Sequence, residues 1–188
     1  MKTLVIECST GTGSLAVAVD GRIVEHRVFE NPRGRGGELF SALEATVPHH
    51  PDLTQIIVGT GPGSYNALRV SCAAAWGIAK SRGIPTYGAC SLLGYAPDDY
   101  DIVGDARAAQ WFFAKVRGGG LVGAPQLMTP EDASAALDRS VPVFSTSQLL
   151  DRATVQCPDA AILALRPAPT TPAEPIYLKP PHITTPKK

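Results

Sequence analysis

The chain has 188 residues, of which 44% are apolar and 18% charged, below the charged content of about 25% that is average for soluble domains. Its 17 basic and 17 acidic residues cancel, whereas proteins that grip nucleic acid alone usually carry a basic excess. The length suits one sizeable core or two small lobes, and the charge balance argues against strong RNA binding by this chain alone.

The cysteines and the apolar runs bear on where the protein works. Cys8, Cys72, Cys90 and Cys157 form no C-x-x-C pair, and no histidine lies at metal-ligand spacing from them. Free thiols are typical of a reducing cytosol. The chain starts directly with a strand pattern instead of a signal peptide, and no apolar run approaches the ~20 residues that span a bilayer. We therefore expect a cytoplasmic protein with no membrane association.

The first fifty residues read as three strands and a short helix. Residues 3–7 are nearly all apolar, as in a strand buried on both faces. Residues 15–19 and 22–29 follow as strands around Asp20-Gly21, a strong hairpin signal. The acid before the first turn, Glu7, is expected to be solvated. Residues 38–47 have helical periodicity.

Between these elements and the next strand lie a basic loop and two histidines. The loop at residues 31–37 is rich in glycine, and we expect it to be solvated. His49 and His50 are adjacent, so they do not share a helix face as residues four apart would. They are interpreted as surface residues.

A glycine loop organises the middle of the chain. Residues 56–58 are branched and apolar, which favours a buried strand, and glycines at alternate positions then break it. Ser64 is a good N-cap for a helix over residues 66–82. A helix start favours an anion, but the loop matches neither the Walker pattern nor G-x-G-x-x-G. A binding loop and a tight packing turn therefore stand as equal alternatives.

The helix over residues 66–82 is rich in small residues and apolar nearly all round, which requires burial on two sides. A small lobe has little mass to cover both sides. We therefore predict a subunit interface built from this helix and the one before it. The residues assigned to that interface are Leu39, Leu43, Leu68, Arg69, Val70, Ala74 and Ile78.

Residues 96–99 mark a lobe boundary, dividing the chain into residues 1–97 and 98–188. The second lobe is predicted to hold strands at 111–116, 121–128 and 141–145. Its helices are expected after Thr129, which is followed by proline and two acids, and at 146–154. The proline-rich run at 166–175 should be extended.

Three motifs in order give the chain a family resemblance. They are Gly61-Pro62-Gly63-Ser64-Tyr65 followed by Arg69, then Asp105-Ala106-Arg107, and then Pro175-Ile176-Tyr177-Leu178-Lys179. Together they resemble the TsaB (YeaZ-like) family. The resemblance implies an α/β fold of two actin-like ATPase (ASKHA) lobes with mixed sheets, the second lobe being reduced. Departures are Glu7 for the usual Asp, Gln110 for a Glu, and Lys179 for an Arg that would form a bidentate fork.

The same resemblance implies a function. TsaB proteins are non-catalytic subunits of the machinery that makes threonylcarbamoyladenosine beside the tRNA anticodon. The expected partners are a TsaD-type transferase sibling, a TsaE-type ATPase and, when alone, a second copy, with tRNA reached only through the complex. We expect no catalytic or metal residues and no firm cofactor. Binding of ATP or ADP with magnesium would be weak. The loops that would face the nucleotide contain Thr10, Gly11, Gly61, Pro62, Gly63 and Ser64.

Two alternatives from another class stay open. One is an enzyme, either a small actin-like ATPase or a small-molecule kinase, for which Glu7 would be the metal-positioning acid. The other is a glycoprotease, an old label for relatives. No His-x-x-x-His pair exists in the sequence, and no Cys–His or Ser–His–Asp set can be assigned. The scaffold interpretation is therefore preferred.

Overall fold

The structure is a computed structural model that describes residues 1–32 and 36–179. Residues 33–35 of the predicted basic loop and His182 lie outside the described residues. Among the described residues, no helix has both the length and the apolar character needed to cross a bilayer.

The first half of the chain forms a five-stranded mixed sheet. Its strands are β1 (Lys2–Glu7), β2 (Thr12–Val19), β3 (Arg22–Glu30), β4 (Gln55–Gly59) and β5 (Thr86–Ala89), in the order β3-β2-β1-β4-β5. The first three strands are antiparallel, and β4 and β5 run parallel to β1. The predicted N-terminal strands are confirmed. They could be predicted because apolar runs and the Asp20-Gly21 turn are local signals in the sequence.

Helices cover both faces of this sheet. Helices α1 (Gly37–Thr46) and α2 (Tyr65–Arg82) pack on one face, where their leucines and alanines meet the side chains of β1, β2 and β4. A short helix, Ala160–Leu165, packs on the other face. The central strands are consequently buried on both sides, as the continuous apolar run of β1 predicts.

The second half forms a smaller mixed sheet. Its strands are β6 (Tyr100–Asp105), β7 (Trp111–Arg117), β8 (Gly120–Leu121), β9 (Gln126–Met128), β10 (Val143–Ser145) and β11 (Thr154–Val155). The order is β11-β10-β6-β7-β8, and β9 also pairs with β7. Helix α3 (Pro130–Ala136) begins at Thr129, whose hydroxyl accepts a hydrogen bond from the Asp132 N–H, so this predicted cap is confirmed.

Two elements of the second half differ from prediction, and a third had no predicted type. The strand expected over residues 121–128 is split into β8 and β9, since Gly123 has φ 81° and Pro125 lacks an N–H. The helix expected over residues 146–154 is absent, and that segment forms turns before β11. At the start of this segment the Ser147 N–H donates a hydrogen bond to the Ser145 hydroxyl. Such local hydrogen bonds between side chain and backbone compete with helix formation. Residues 160–165, of unassigned type in the sequence, form helix α4.

The chain crosses back to the first sheet at its end. The first sheet ends with β5 at Ala89, and the second sheet begins with β6 at Tyr100. Helix α4, however, packs against β1 and β2, and Gly88 bridges to Thr171. The described residues from about 159 onward therefore pack on both sheets, and the division of the chain at residue 97 stays a prediction.

Candidate functional site

The glycine loop turns the chain from β4 into α2. Gly61 has φ 95°, a left-handed conformation that favours glycine. Ser64 directly precedes the first helical residue, Tyr65, but its side chain makes no capping hydrogen bond. The sequence thus places the helix start within one residue, while the expected cap interaction does not form.

Contacts from both sides clamp this loop. The Ser64 N–H donates to the Ser9 carbonyl at 2.8 Å, and the Gly61 N–H donates to the Ser91 hydroxyl at 2.9 Å. A Cβ on Gly63 would lie 2.2 Å from the Ser9 carbonyl oxygen, so only glycine fits there. Two N–H groups that could cradle a phosphate are therefore already used, which favours the packing-turn interpretation.

The other residues assigned to a nucleotide lie in the turn between β1 and β2. The Thr10 hydroxyl donates to the Thr12 carbonyl, within the turn itself. Gly11 is exposed, with open space where a Cβ would stand. Pro62 is buried beside these residues. The structure thus brings the Ser9–Gly11 turn against the glycine loop, as expected of one site, but through tight packing.

Glu7 is fully buried, whereas the sequence predicted a solvated acid. Its Oε1 accepts a hydrogen bond from the Ser9 N–H at 2.6 Å, and its Oε2 has no hydrogen-bond partner among the described residues. A Cβ on Gly59 would lie 1.8 Å from that Oε2, so the carboxyl packs directly against β4. Burial raises the pKa of Glu7, and the hydrogen bond from the Ser9 N–H only partly opposes this.

The C-terminal strap, residues 175–179, crosses the seam between the two sheets. The Ile176 N–H donates to the Thr60 carbonyl at 2.7 Å, at the start of the glycine loop. The Tyr177 ring stacks on Tyr65 with centroids 4.6 Å apart. The third sequence motif is therefore seated directly on the first.

The strap also holds the second motif. Leu178 packs against the core cluster of the second sheet. The Lys179 ammonium donates to the carbonyls of Ala106, at 2.9 Å, and Arg107, at 2.8 Å. All three motifs thus meet at one seam, although the sequence separates them by more than a hundred residues.

Asp105 and Arg107 of the second motif do not form an ion pair with each other. Strand β6 ends at Asp105, and Arg107 has φ 61°, so these residues do not share a strand face. The Asp105 carboxylate instead accepts a hydrogen bond from the Arg107 backbone N–H at 2.7 Å. Among the residues that the structure describes, no salt bridge joins the two side chains. The motif is therefore a tight turn that Lys179 caps.

The predicted interface set falls into two groups. Leu39, Leu43 and Leu68 are at most 5% exposed and belong to the core of the first sheet, so they are unavailable to a partner. Val70, Ala74 and Ile78 are half-buried against the same core, and Arg69 is exposed. The orientation of α2 explains this division, because the side of the helix that packs on the sheet carries Leu68, Cys72, Ala75 and Ala79.

Sequence reasoning missed the most exposed apolar side chains of this helix pair. Phe40 on α1 is 49% exposed and Trp76 on α2 is 55% exposed. Between the two helices runs a groove of about 500 Å³. Its lining includes Pro32, Gly36, Asn66, Arg69, Val70 and Ala73. The helical periodicity of the sequence places Trp76 about one residue away from the buried face of α2. Periodicity alone does not tell whether another part of the protein covers that side chain.

Comparison with solved structures assigns the fold. YeaZ from Pseudomonas aeruginosa superposes with a TM-score of 0.72 at 19% identity, covering 94% of this chain and 99% of that chain. A second Pseudomonas aeruginosa protein, described as similar to peptidase YeaZ, superposes with a TM-score of 0.71 at 18% identity, covering 95% and 99%.

The chain has the YeaZ fold. The predicted actin-like architecture of two mixed α/β lobes is confirmed. The second lobe is small, as expected: strands β8 to β11 have two or three residues each, and helix α3 has seven. The resemblance stated from the three motifs is thus confirmed at the level of the fold, and it covers nearly the whole chain.

Sequence comparisons add partial matches. The model of the family described as TsaD, tRNA N6-adenosine threonylcarbamoyltransferase, matches residues 39–107, a region that includes α1, α2 and the glycine loop. An uncharacterized protein of Mycobacterium tuberculosis (strain H37Rv) is 36% identical over 76 residues, 40% of this chain and 33% of that protein. A protein of Mycobacterium bovis matches equally. The matched region thus spans about a third of these relatives.

Proposed function

We propose that this YeaZ-fold chain is a TsaB-type subunit of the tRNA threonylcarbamoyladenosine machinery, a non-catalytic scaffold that binds and activates a TsaD-type transferase. The fold match along nearly the whole chain supports this role. So does the TsaD-family match across residues 39–107, because homologous subunits commonly pair through related surfaces.

The observation that carries the proposal is the exposed face of α1 and α2. Two large apolar side chains, Phe40 and Trp76, stand half-exposed there. Ala73 and Gly77 beside Trp76 are exposed and small, so a helix of another subunit can approach closely. Aromatic anchors surrounded by small residues are typical of helix-packed interfaces. The occupant we assign is the helical face of the transferase sibling.

The buried carboxyl of Glu7 supports a non-catalytic role. An actin-like ATPase or kinase needs an acid that faces metal and solvent, whereas Glu7 points into the sheet against Gly59. In this proposal the chemistry of transfer belongs to the partner. A TsaE-type ATPase docks on the pair, and with a net charge of zero the chain reaches tRNA only through the assembled complex.

Co-expression with the transferase sibling from the same genome, followed by size-exclusion chromatography, tests the pairing. The wild-type chain should co-elute and support tRNA modification once the ATPase is added. Ala73→Arg and Trp76→Arg should abolish co-elution, because each puts a charge on an exposed part of the face without disturbing the core. Ala74 is a poorer choice, since it is half-buried against the core.

Val122→Arg is the matched control, because Val122 is 58% exposed but lies in the second lobe. It should leave co-elution intact. Separate elution of the wild-type chain, or equal loss with Val122→Arg, would contradict the proposed interface. Nucleotide turnover by this chain alone would instead support the enzymatic alternative, a small actin-like ATPase or kinase.

A further inference from the structure

A strip of cations and aromatic rings crosses the seam between the two sheets. Its members are Tyr65 and Arg69 at the start of α2, Tyr177 and Lys179 on the strap, and Arg107 in the turn after β6. The strap joins the two ends, because Tyr177 stacks on Tyr65 and the Lys179 ammonium donates to the Arg107 carbonyl at 2.8 Å. We call these five residues the seam strip.

The aromatic part of the seam strip has a ring open to solvent. The Tyr177 ring stacks on Tyr65 with centroids 4.6 Å apart, yet Tyr177 is 41% exposed. The Arg69 guanidinium lies 5.3 Å from the centroid of the Tyr65 ring and is itself exposed. A tyrosine that is held by stacking, with a guanidinium nearby, offers a surface on which a further flat group can stack.

A strained turn presents Arg107 at the other end of the seam strip. Arg107, Ala108 and Ala109 have φ of 61°, 52° and 54°, a left-handed conformation that is costly for residues with a side chain. Such a turn persists only where its surroundings hold it. Here the Asp105 carboxylate accepts a hydrogen bond from the Arg107 N–H, and Lys179 binds the Arg107 carbonyl. These backbone contacts fix the point from which the exposed Arg107 side chain extends.

Neither arginine of the seam strip forms a salt bridge within residues 1–32 and 36–179. The acids closest to the strip along the chain are Asp105, whose carboxylate is engaged by the Arg107 N–H, and Glu174, which precedes the strap. The seam strip therefore carries an unpaired guanidinium at each end, with the exposed ring of Tyr177 between them.

We propose that the seam strip binds a single-stranded segment of RNA. A base stacks on Tyr177, and the phosphates on the two sides of that base contact Arg69 and Arg107. Guanidinium groups fit phosphate oxygens through two parallel hydrogen bonds, and exposed aromatic rings between cations are typical of surfaces that bind single strands. A lone nucleotide fits less well, because its phosphates all lie on one side of its base.

This contact goes beyond the proposed function, in which the chain meets RNA only within the assembled complex. Because the net charge is zero, the isolated chain should bind RNA weakly, with a dissociation constant on the order of 10 µM at low salt. Inside a complex the same contact gains from a high effective concentration. The seam strip includes neither Phe40 nor Trp76, so RNA binding and pairing with the transferase can fail independently.

Fluorescence anisotropy of a labelled, unstructured RNA of about 12 nucleotides tests binding by the full chain at about 20 mM salt. We expect saturable binding that weakens as the salt concentration rises. Duplex RNA of the same length should bind more weakly despite its doubled charge, because its bases are stacked on each other and cannot reach Tyr177. Poly-glutamate, which has charge but no flat bases, should compete poorly.

Two substitutions separate the stacking contact from the phosphate contact. Tyr177→Ala should weaken binding about tenfold, as expected for the loss of one stacked base, whereas Tyr177→Phe keeps the ring and should bind as the wild type does. Arg107→Ala should lower the slope of log affinity against log salt by about 0.7, the share of one phosphate contact in a single strand. Its neighbours in the turn are already alanines, so circular dichroism should show an unchanged fold.

Arg139→Ala is the matched control. Arg139 is exposed and, in the described part of the chain, forms no salt bridge. It follows Asp138, whose N–H donates to Asp101 near the start of β6, whereas Arg107 lies beyond the end of that strand. Arg139→Ala should change neither affinity nor salt slope.

Four results would overturn RNA binding by the seam strip. The first is no saturable binding by the wild-type chain up to about 1 mM protein. The second is duplex RNA or poly-glutamate binding as tightly as the single strand, which would indicate a site for polyanions in general. The third is unchanged binding by Tyr177→Ala, and the fourth is an equal loss with Arg139→Ala.

Discussion

At the scale of single residues, Glu7 is the most consequential departure from the sequence prediction. The same position at the end of β1 would suit an exposed acid, yet the carboxyl is buried against Gly59 of β4, and its Oε2 has no hydrogen-bond partner among the described residues. A buried carboxyl is costly to ionise, so its pKa rises. A group with a raised folded pKa contributes stability below its unfolded pKa of about 4.3 and loses it as pH rises.

Glu7→Gln should therefore stabilise the protein at neutral and higher pH. The amide keeps an acceptor for the Ser9 N–H but carries no charge, and we expect a gain on the order of 1 kcal/mol at pH 8. The gain should shrink as the pH falls toward 4. Urea unfolding of both proteins from pH 4 to pH 8 measures this difference, and a pH-independent difference would contradict it.

Glu25→Gln is the control of opposite sign. Although partial burial raises the pKa of Glu25, hydrogen bonds from His50, Arg27 and Thr46 outweigh it and lower the pKa to about 2. Such a group contributes stability above its unfolded pKa and loses it as pH falls toward 2. Glu25→Gln should thus destabilise by about 1 kcal/mol at pH 7, and the difference should disappear in acid.

At the scale of elements, the C-terminal segment decides whether the two lobes hold one arrangement. It bonds to β5 at Thr171, to the glycine loop at Ile176, and to the turn after β6 at Lys179. A Cβ on Gly88 would lie 2.4 Å from the Pro172 carbonyl oxygen, which is backbone and has little room to yield. Gly88 is therefore required by the segment that crosses it.

Gly88→Ala should lower the free energy of unfolding by about 1–3 kcal/mol, the range for overpacking. It should also make the residues after Arg166 sensitive to limited proteolysis. Gly77→Ala is the matched control, because a Cβ there meets nothing within 4 Å and alanine suits a helix interior. Gly77→Ala should stabilise by up to about 1 kcal/mol, and similar proteolysis of both variants would contradict the argument.

At the scale of the whole molecule, the two sheets meet at a seam that the protein's own segments occupy. The glycine loop there is bonded to Ser9 and Ser91, and the acid of β1 is buried. Tyr177 stacks on Tyr65 at the end of the loop. The backbone N–H groups of Gly61 and Ser64 are therefore already used within the protein.

We accordingly expect no thermal stabilisation of the isolated chain by millimolar ATP or ADP with magnesium. A nucleotide present at 100 times its dissociation constant would add about 2.7 kcal/mol to the free energy of unfolding and raise the melting temperature by several degrees. Differential scanning fluorimetry over a nucleotide series measures this. A saturable shift that Gly63→Ala abolishes would contradict the prediction and restore the nucleotide-facing assignment of the loop.

The sequence by itself determined the local elements of this protein and its overall fold class. Apolar runs, the Asp20-Gly21 hairpin, the start of α2 after Ser64 and the cap at Thr129 depend on neighbours within a few residues, so they can be predicted from the chain. Three ordered motifs were also enough to predict the YeaZ-like fold. Element ends and the two-residue strands were less predictable, because pairing partners decide them.

Only the tertiary structure decided which chemical groups are available. Burial of Glu7, Leu39 and Leu68 depends on residues from other strands and helices, and no local pattern records those distances. The same holds for the stacking of Tyr177 on Tyr65 and for Lys179 at the Arg107 turn, which join segments over seventy residues apart. Helical periodicity showed that α2 is apolar on two sides. The packed sheet decided that Trp76, and not Leu68, faces outward.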